Sequence, residues 1–202
     1  IVNQNGIVFG GTSQVNVGAL VASTAQMSNA QFLTGIYSTQ AGSTYAPSFT
    51  DAAALLGNGG GVVKVEAGAQ ITTPMPASVT SGGGFVYLLG GHVENAGSIT
   101  TPSGQTQLAA GNDFVLRRGY GTDANQFSTT RGSEISVGTW NGSAFVPGGT
   151  GIVRNSGLVV SSQGDITLTG HSIVQDGTLV ASTSVNTRGT IHLLNSARDT
   201  SG

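Results

Sequence analysis

Nine carboxylates and three imidazoles are the side chains of this sequence that could move protons or hold a metal ion. Acid–base work on a glycosidic bond, or a divalent cation site, needs two or three carboxylates within roughly 5–10 Å of one another. The acids are Asp51, Asp113, Asp123, Asp165, Asp176, Asp199, Glu66, Glu94 and Glu134, and none follows another directly or after one residue. Asp165 and Asp176 come nearest to a pair within the repeat described below, about half a repeat apart, which predicts different corners of the fold. His92, His171 and His192 lack the spacing of a zinc site. His192 has outward parity in "GTIHLL", between Ile191 and Leu193, and is expected in solvent. The Gly-rich stretch "GNGGG" (57–61) lacks the Lys-Ser/Thr of a phosphate-binding loop, and no calcium-binding nonapeptide occurs. Asn141-Gly142-Ser143 fits the glycosylation acceptor frame, a tripeptide that also arises by chance. The residue pattern therefore assigns no catalytic, cofactor-binding or metal-ligating residue.

Charge narrows the partners. Only 8% of the 202 residues are charged, with a formal net charge of −2, against about 25% in an average soluble domain. The seven Lys and Arg are scattered, and only Arg117 and Arg118 are adjacent. Displacing counterions from phosphate needs a basic patch, so nucleic acid is not an expected partner. No apolar run reaches the 18 residues of a membrane-spanning helix. Cysteine is absent, which suits a chain that crosses an oxidising compartment before folding. The opening "IVNQNG" has neither an initiator Met nor a signal-peptide pattern, and the chain is read as a piece of something larger.

What remains to be explained is the glycine, 33 residues of it. The glycines bracket short apolar runs, as turn residues do. "NSGLVVSS" (155–162) returns twenty residues later as "QDGTLVAS" (175–182), and the same frame is read in "NVGALVAS" (16–23) and "NAGSITTP" (95–102). A second frame places Gly before alternating β-branched and aliphatic residues: "GVVKVEAG" (61–68), "GFVYLLGG" (84–91), "GQTQLAAG" (104–111), "GDITLTG" (164–170) and "GTIHLLN" (189–195). Gly97 precedes Gly104 by seven residues, as Gly157 precedes Gly164; from Gly177 to Gly189 the gap is twelve, which predicts a loop at that corner. Alternation at period two predicts half-buried strands, with Ile166 and Leu168 inward and Asp165, Thr167 and Thr169 outward. Short strands between single Gly or Asn turns, repeating near twenty residues, predict an all-β fold: a single-stranded parallel β-helix in which each coil covers the apolar side of its neighbour. Asn16, Asn95, Asn155 and Gln175 are expected at corners, hydrogen-bonding along the stack.

Two stretches break the rhythm, 24–60 and 112–150, and are expected to leave the stack as hairpins or loops. Thr50 or Asp51 is placed to cap a short helical turn through Leu56. The second stretch carries Arg117, Arg118, Tyr120 and Trp140, the last near Phe145; these are the possible surface contacts for a glycan or host surface, or supports at a loop base.

"NQNGIVFGGTSQVNVGALVAST" (3–24) resembles the haemagglutination-activity domain of filamentous-haemagglutinin-like exoproteins of two-partner secretion systems. The family pattern of Asn-Pro-Asn-Gly-Ile followed by Val-Asn-Val-Gly-Gly-Leu-Val-Ala-Ser-Thr is met at Asn3, Asn5, Gly6 and Ile7, at Val15 through Gly18, and at Leu20 through Thr24. Gln4 stands in place of the Pro and Ala19 in place of the second Gly. "MSNAQFLTGIY", "VEAGAQITT", "RGSEI" and "VNTRGTIHLLNSA" resemble later segments, so the likeness runs along essentially the whole chain. The resemblance implies a right-handed β-helix and one domain over residues 1–202, the later part of a secretion domain whose signal peptide and N-terminal cap lie elsewhere. It implies a monomeric module that directs secretion through the periplasm to the cell surface and takes part in adhesion. The implied partner is a TpsB-type outer-membrane transporter with its POTRA domains, for which Asn3, Asn5, Gly6 and Ile7 form the secretion motif, as a recognition element or a structural turn. Host surfaces or glycans are possible further partners. The alternatives are a polysaccharide-processing β-helix enzyme and an inert rigid spacer.

Overall fold

In the computed structural model, residues 1–41, 44–51, 60–78, 82–118, 133–182 and 189–195 are described. The chain makes a first pass through three short strands, β1 (Ile7–Phe9), β2 (Gln14–Asn16) and β3 (Leu20–Ser23). It then leaves them through helix α1 (Asn29–Thr34), a small hairpin of β4 (Gln40–Ala41) and β5 (Thr44–Tyr45), and strand β6 (Phe49–Thr50). A second pass follows in β7 (Val62–Val65), β8 (Gln70–Thr72) and β9 (Phe85–Gly90), and a third in β10 (His92–Asn95), β11 (Ser98–Thr100) and β12 (Gln105–Ala110). A second departure contains β13 (Asp113–Arg118), β14 (Ser133–Trp140) and β15 (Phe145–Pro147). The fourth pass is β16 (Ile152–Asn155), β17 (Leu158–Ser162) and β18 (Asp165–Gly170), and the fifth is β19 (Ser172–Gln175), β20 (Thr178–Ser182) and β21 (Thr190–Asn195).

Every pass gives one strand to each of three five-stranded sheets, always in the same order. The first sheet runs β1-β7-β10-β16-β19, the second β2-β8-β11-β17-β20, and the third β3-β9-β12-β18-β21. All pairings within these sheets are parallel, and the register repeats: Val63, Val93, Val153 and Ile173 align in the first sheet, Ile71, Ile99, Val159 and Leu179 in the second. Alternation decides which side faces in. Val63, Val93 and Val153, with Ile71, Ile99 and Val159 and with Val86, Leu88, Leu108, Ile166 and Leu168, form one buried cluster shared by the three sheets. The chain is thus all-β and built on parallel sheets.

Corners hold the passes together. Asn95 Nδ2 donates to Asn155 Oδ1 at 2.7 Å, and Asn155 Nδ2 donates to Gln175 Oε1 at 3.0 Å. Three of the four expected corner amides therefore bond along the stack. Asn16 does not: it ends β2 in the second sheet, exposed and level with Thr72. Gly84, Gly104 and Gly164 stand above one another at the entry to the third sheet, where a Cβ on Gly104 would run into the Gly84 carbonyl oxygen and one on Gly164 into that of Gly104. Beside them Ser103 and Gln163 adopt φ values of 51° and 60°, so the same corner turns left-handed in consecutive passes.

Four expectations need correction. The run Leu20–Ser23 of "NVGALVAS" lies in the third sheet opposite β9, not with "NAGSITTP", and "GVVKVEAG" gives a strand of the first sheet, not the third. Each of the three sides carries a Gly followed by β-branched residues, so the frame alone does not say which side a segment occupies. Strands β12 and β18 of the third sheet are also buried on both faces: Asp165, Thr167 and Thr169 are covered, as are Gln105 and Gln107. The cause is that both departures fold back instead of projecting. β6, β13, β14 and β15 form one antiparallel sheet, in the order β15-β14-β13-β6. Its Phe49, Phe114, Leu116, Ile135 and Val137 pack on Tyr87, Leu89 and Ala109 from the outer face of the third sheet, making a second core. Lastly, Thr50 is a strand residue paired with Asp113; the helical turn expected after it, the loop expected between Gly177 and Gly189, and Tyr120 fall outside the described residues.

Candidate functional site

The segment 3–7 is a turn that feeds the first strand. Asn3 Oδ1 accepts from the Asn5 backbone N–H at 3.1 Å, and the Gly6 N–H returns to the Asn3 carbonyl at 3.2 Å. An Asn side chain that bonds the backbone two residues on makes such a turn without a ring to preset it, which accounts for Gln4 at the second position. Gly6 has φ 118°, a conformation open to glycine. Ile7 begins β1, is 8% exposed, and packs into the core opposite Val63. Asn3 is tied back through its own N–H to the Ser23 carbonyl at 3.0 Å. Three of the four motif residues are therefore used by the fold. The Asn5 side chain is exposed and bonds to nothing among the described residues.

The predicted contact residues lie on the antiparallel sheet, but not together. Arg117 and Arg118 end β13, opposite Glu134 and Ser133; Trp140 ends β14 beyond the Asp113–Gly138 pair, paired with Phe145. Along β14, Glu134 and Trp140 are six positions apart, about 20 Å of strand. Arg117 Nη2 bonds Glu134 Oε1 at 2.7 Å and its guanidinium lies 5.6 Å from the Tyr45 ring centre. The Arg118 guanidinium lies 4.8 Å from the ring centre of Tyr37. Both cations are thus engaged in pinning the β4–β5 region and the segment after α1 to the hairpin. Trp140 is half-buried.

Behind Arg118 sits a buried polar cluster. The Tyr87 hydroxyl donates to Gln105 Oε1 at 2.7 Å, and the side-chain amides of Gln105 and Gln107 both donate to the Ser133 carbonyl, at 2.6 and 2.5 Å. Ser133 N–H answers to Gln105 Oε1 at 2.8 Å. The Tyr87 phenol is held protonated: burial pushes its pKa above the ordinary tyrosine value.

Folding creates one acid pair that the spacing hid. Asp51 and Asp113 are 62 positions apart, yet β6 pairs antiparallel with β13 and sets Thr50 opposite Asp113. Both carboxylates are 3% exposed. Burial raises the Asp113 pKa above the usual aspartate value, and the charge of Asp51 adds to the rise, while the Trp140 N–H (2.6 Å) and the Thr50 side chain oppose it. The signal available was weak: "SFTD" and "NDFVL" each join an acid to a Phe-bearing apolar run, and Phe49 and Phe114 are the pair that align.

The other acids are spread out. Asp165, at the start of β18, accepts from the Thr190 N–H at 3.1 Å, whereas Asp176 lies between β19 and β20 and pairs with Arg154 at 3.2 Å. They occupy different corners, as the spacing predicts. Glu94 stands 4.0 Å from Lys64 on the first sheet. His192 is exposed, His92 lies on the first sheet and His171 between β18 and β19. Among the described residues no three such side chains gather to hold a metal ion. The Asn141 amide oxygen is spent on its own turn, accepting from the Ser143 and Ala144 N–H groups at 3.0 and 2.8 Å.

Comparison of the sequence with protein-family models and with curated proteins finds no match.

Proposed function

We propose that this chain is a right-handed, single-chain parallel β-helix acting as the secretion-directing and adhesive module of a filamentous-haemagglutinin-like exoprotein. The observation that carries this reading is the fivefold return to three parallel sheets in constant order and register, entered through the Asn3–Ile7 turn. A solenoid of this kind gains stability coil by coil. In a two-partner system the unfolded chain would cross the outer membrane through the TpsB-type transporter, and each coil folding outside would disfavour its return. The absence of cysteine removes any disulfide that could trap the chain in the periplasm. Asn5 is the motif residue left for the transporter's POTRA domains to read, since Asn3, Gly6 and Ile7 are committed to the turn and the core.

The module is read as non-enzymatic, working as a monomer at the cell surface. Its adhesive face is the antiparallel sheet laid over the third parallel sheet, which adds a second core to the stack and breaks the uniformity of a plain rod. Secretion of the intact exoprotein with its own transporter tests the motif. Asn5→Ala is expected to cut export severalfold while leaving the thermal stability of the purified domain unchanged; Asn3→Ala is expected to lower both. Undiminished export of Asn5→Ala removes the recognition role.

A further inference from the structure

Asn-Gly occurs three times in the chain, at Asn5-Gly6, Asn58-Gly59 and Asn141-Gly142. The second pair lies outside the described residues. In the other two the asparagine is exposed and the glycine has a positive φ, 118° at Gly6 and 96° at Gly142. An asparagine followed by an unhindered backbone nitrogen carries its own nucleophile, because that nitrogen can attack the side-chain carbonyl carbon. By sequence the two pairs share this chemistry; their surroundings do not.

The Gly6 N–H is bonded to the Asn3 carbonyl at 3.2 Å, and Ile7 beside it already begins β1, buried opposite Val63. A Cβ on Gly6 would come within 3.2 Å of the Val62 carbonyl oxygen, so the next pass lies close against this turn. An amide bonded in this way beside a buried strand releases its proton only when that part of the fold opens. The Gly142 N–H, at the tip of the β14–β15 hairpin, has no acceptor among the described residues. A Cβ on Gly142 would meet nothing within 4 Å. The Asn141 side chain is also folded over this nitrogen. Its Oδ1 accepts from the Ser143 N–H at 3.0 Å, the Ser143 hydroxyl at 3.1 Å and the Ala144 N–H at 2.8 Å. The bond to the Ser143 N–H closes a ring of atoms that contains both Asn141 Cγ and the Gly142 nitrogen, which keeps the reacting atoms in one turn. The same three donors face the oxygen on which negative charge grows when the nitrogen adds.

We propose that Asn141 is a site of spontaneous deamidation in the folded protein, and that the fold protects Asn5 from the same reaction. Water is the only co-reactant. The Gly142 nitrogen gives its proton to solvent base and bonds to Asn141 Cγ; the Cγ–Nδ2 bond breaks, and Nδ2 takes up a proton and leaves as ammonia. Water then opens the cyclic imide at either carbonyl, giving aspartate or isoaspartate. A neutral amide becomes a carboxylate, so the formal net charge moves by one unit, from −2 to −3. The new charge stands beside the Trp140–Phe145 pair at the end of the antiparallel sheet. The site exists whether or not the chain is exported as proposed above. Incubation of the purified chain at mildly alkaline pH tests it, with peptide mass mapping to read the loss of each amide. Asn141 is expected to convert several-fold faster than Asn5 in the native protein. In denaturing urea the two rates are expected to converge, because only the shared Asn-Gly chemistry is left. On anion exchange the aged protein is expected to give a more acidic species that runs with Asn141→Asp and does not form from Asn141→Gln. Native Asn141 that stays intact over the time in which it converts in urea overturns the proposal. So does native Asn5 that converts as fast as Asn141, and so does an acidic species that still forms at the same rate from Asn141→Gln.

Discussion

Asp113 is the residue at which burial, charge and position conflict. It is almost wholly covered, its carboxyl feels the charge of Asp51, and its pKa in the folded protein is raised above the ordinary value. The folded state therefore holds a proton through a pH range in which the unfolded chain has released it. Within that range stability falls as pH rises, and the contribution is present in full only below the unfolded pKa. Thermal unfolding from about pH 3.5 upward is expected to show this slope in the native chain and a flatter one in Asp113→Asn, which keeps an acceptor for the Trp140 N–H without the charge. Parallel curves for the two proteins remove Asp113 as the source. The pair was not legible in the sequence because its members are joined by an antiparallel pairing between two departures, a contact that no repeat frame encodes.

At the scale of an element, the corner amides behave as one unit. Asn155 is fully buried, accepts from Asn95 and donates to Gln175. Asn155→Ala leaves the buried Asn95 amide N–H and the half-buried Gln175 amide oxygen without their partner. A loss of about 1–3 kcal/mol is expected in denaturant unfolding. A loss below a few tenths of a kcal/mol would show that the two outer amides find each other's place or water. This ladder was readable because Asn, Asn and Gln recur at a fixed offset before Gly97, Gly157 and Gly177. Asn16 shares the offset but not the position, since the strand that follows it belongs to a different sheet. Local pattern specifies that a strand and a turn exist; which of three similar sides it occupies depends on how many residues each preceding corner consumes.

At the scale of the whole molecule there are two cores, one enclosed by three parallel sheets and one between the third sheet and its antiparallel cover. The third sheet belongs to both, which is why β12 and β18 are buried on both faces. Phe114 is buried completely and belongs to the second core, not to the first. Phe114→Ala is expected to cost about 3–5 kcal/mol locally and to free the cover before the stack. Hydrogen exchange checks this: Leu116 and Val137 should lose protection while Val93 and Ile99 keep it. Equal loss at all four would make the two cores a single cooperative unit.

The period-two alternation and the glycine-bracketed runs determined by themselves that this chain forms short stacked strands with Val, Ile and Leu inside. That information is local, because a side chain's face follows from its parity and a turn from its Gly or Asn. Tertiary structure alone decided that the two irregular stretches meet as one sheet, that Asp165, Thr167 and Thr169 are covered, and that Asp51 reaches Asp113. Those outcomes rest on contacts between segments far apart along the chain, and the free energy of burying Tyr87 and Leu89 appears only when both irregular stretches have arrived.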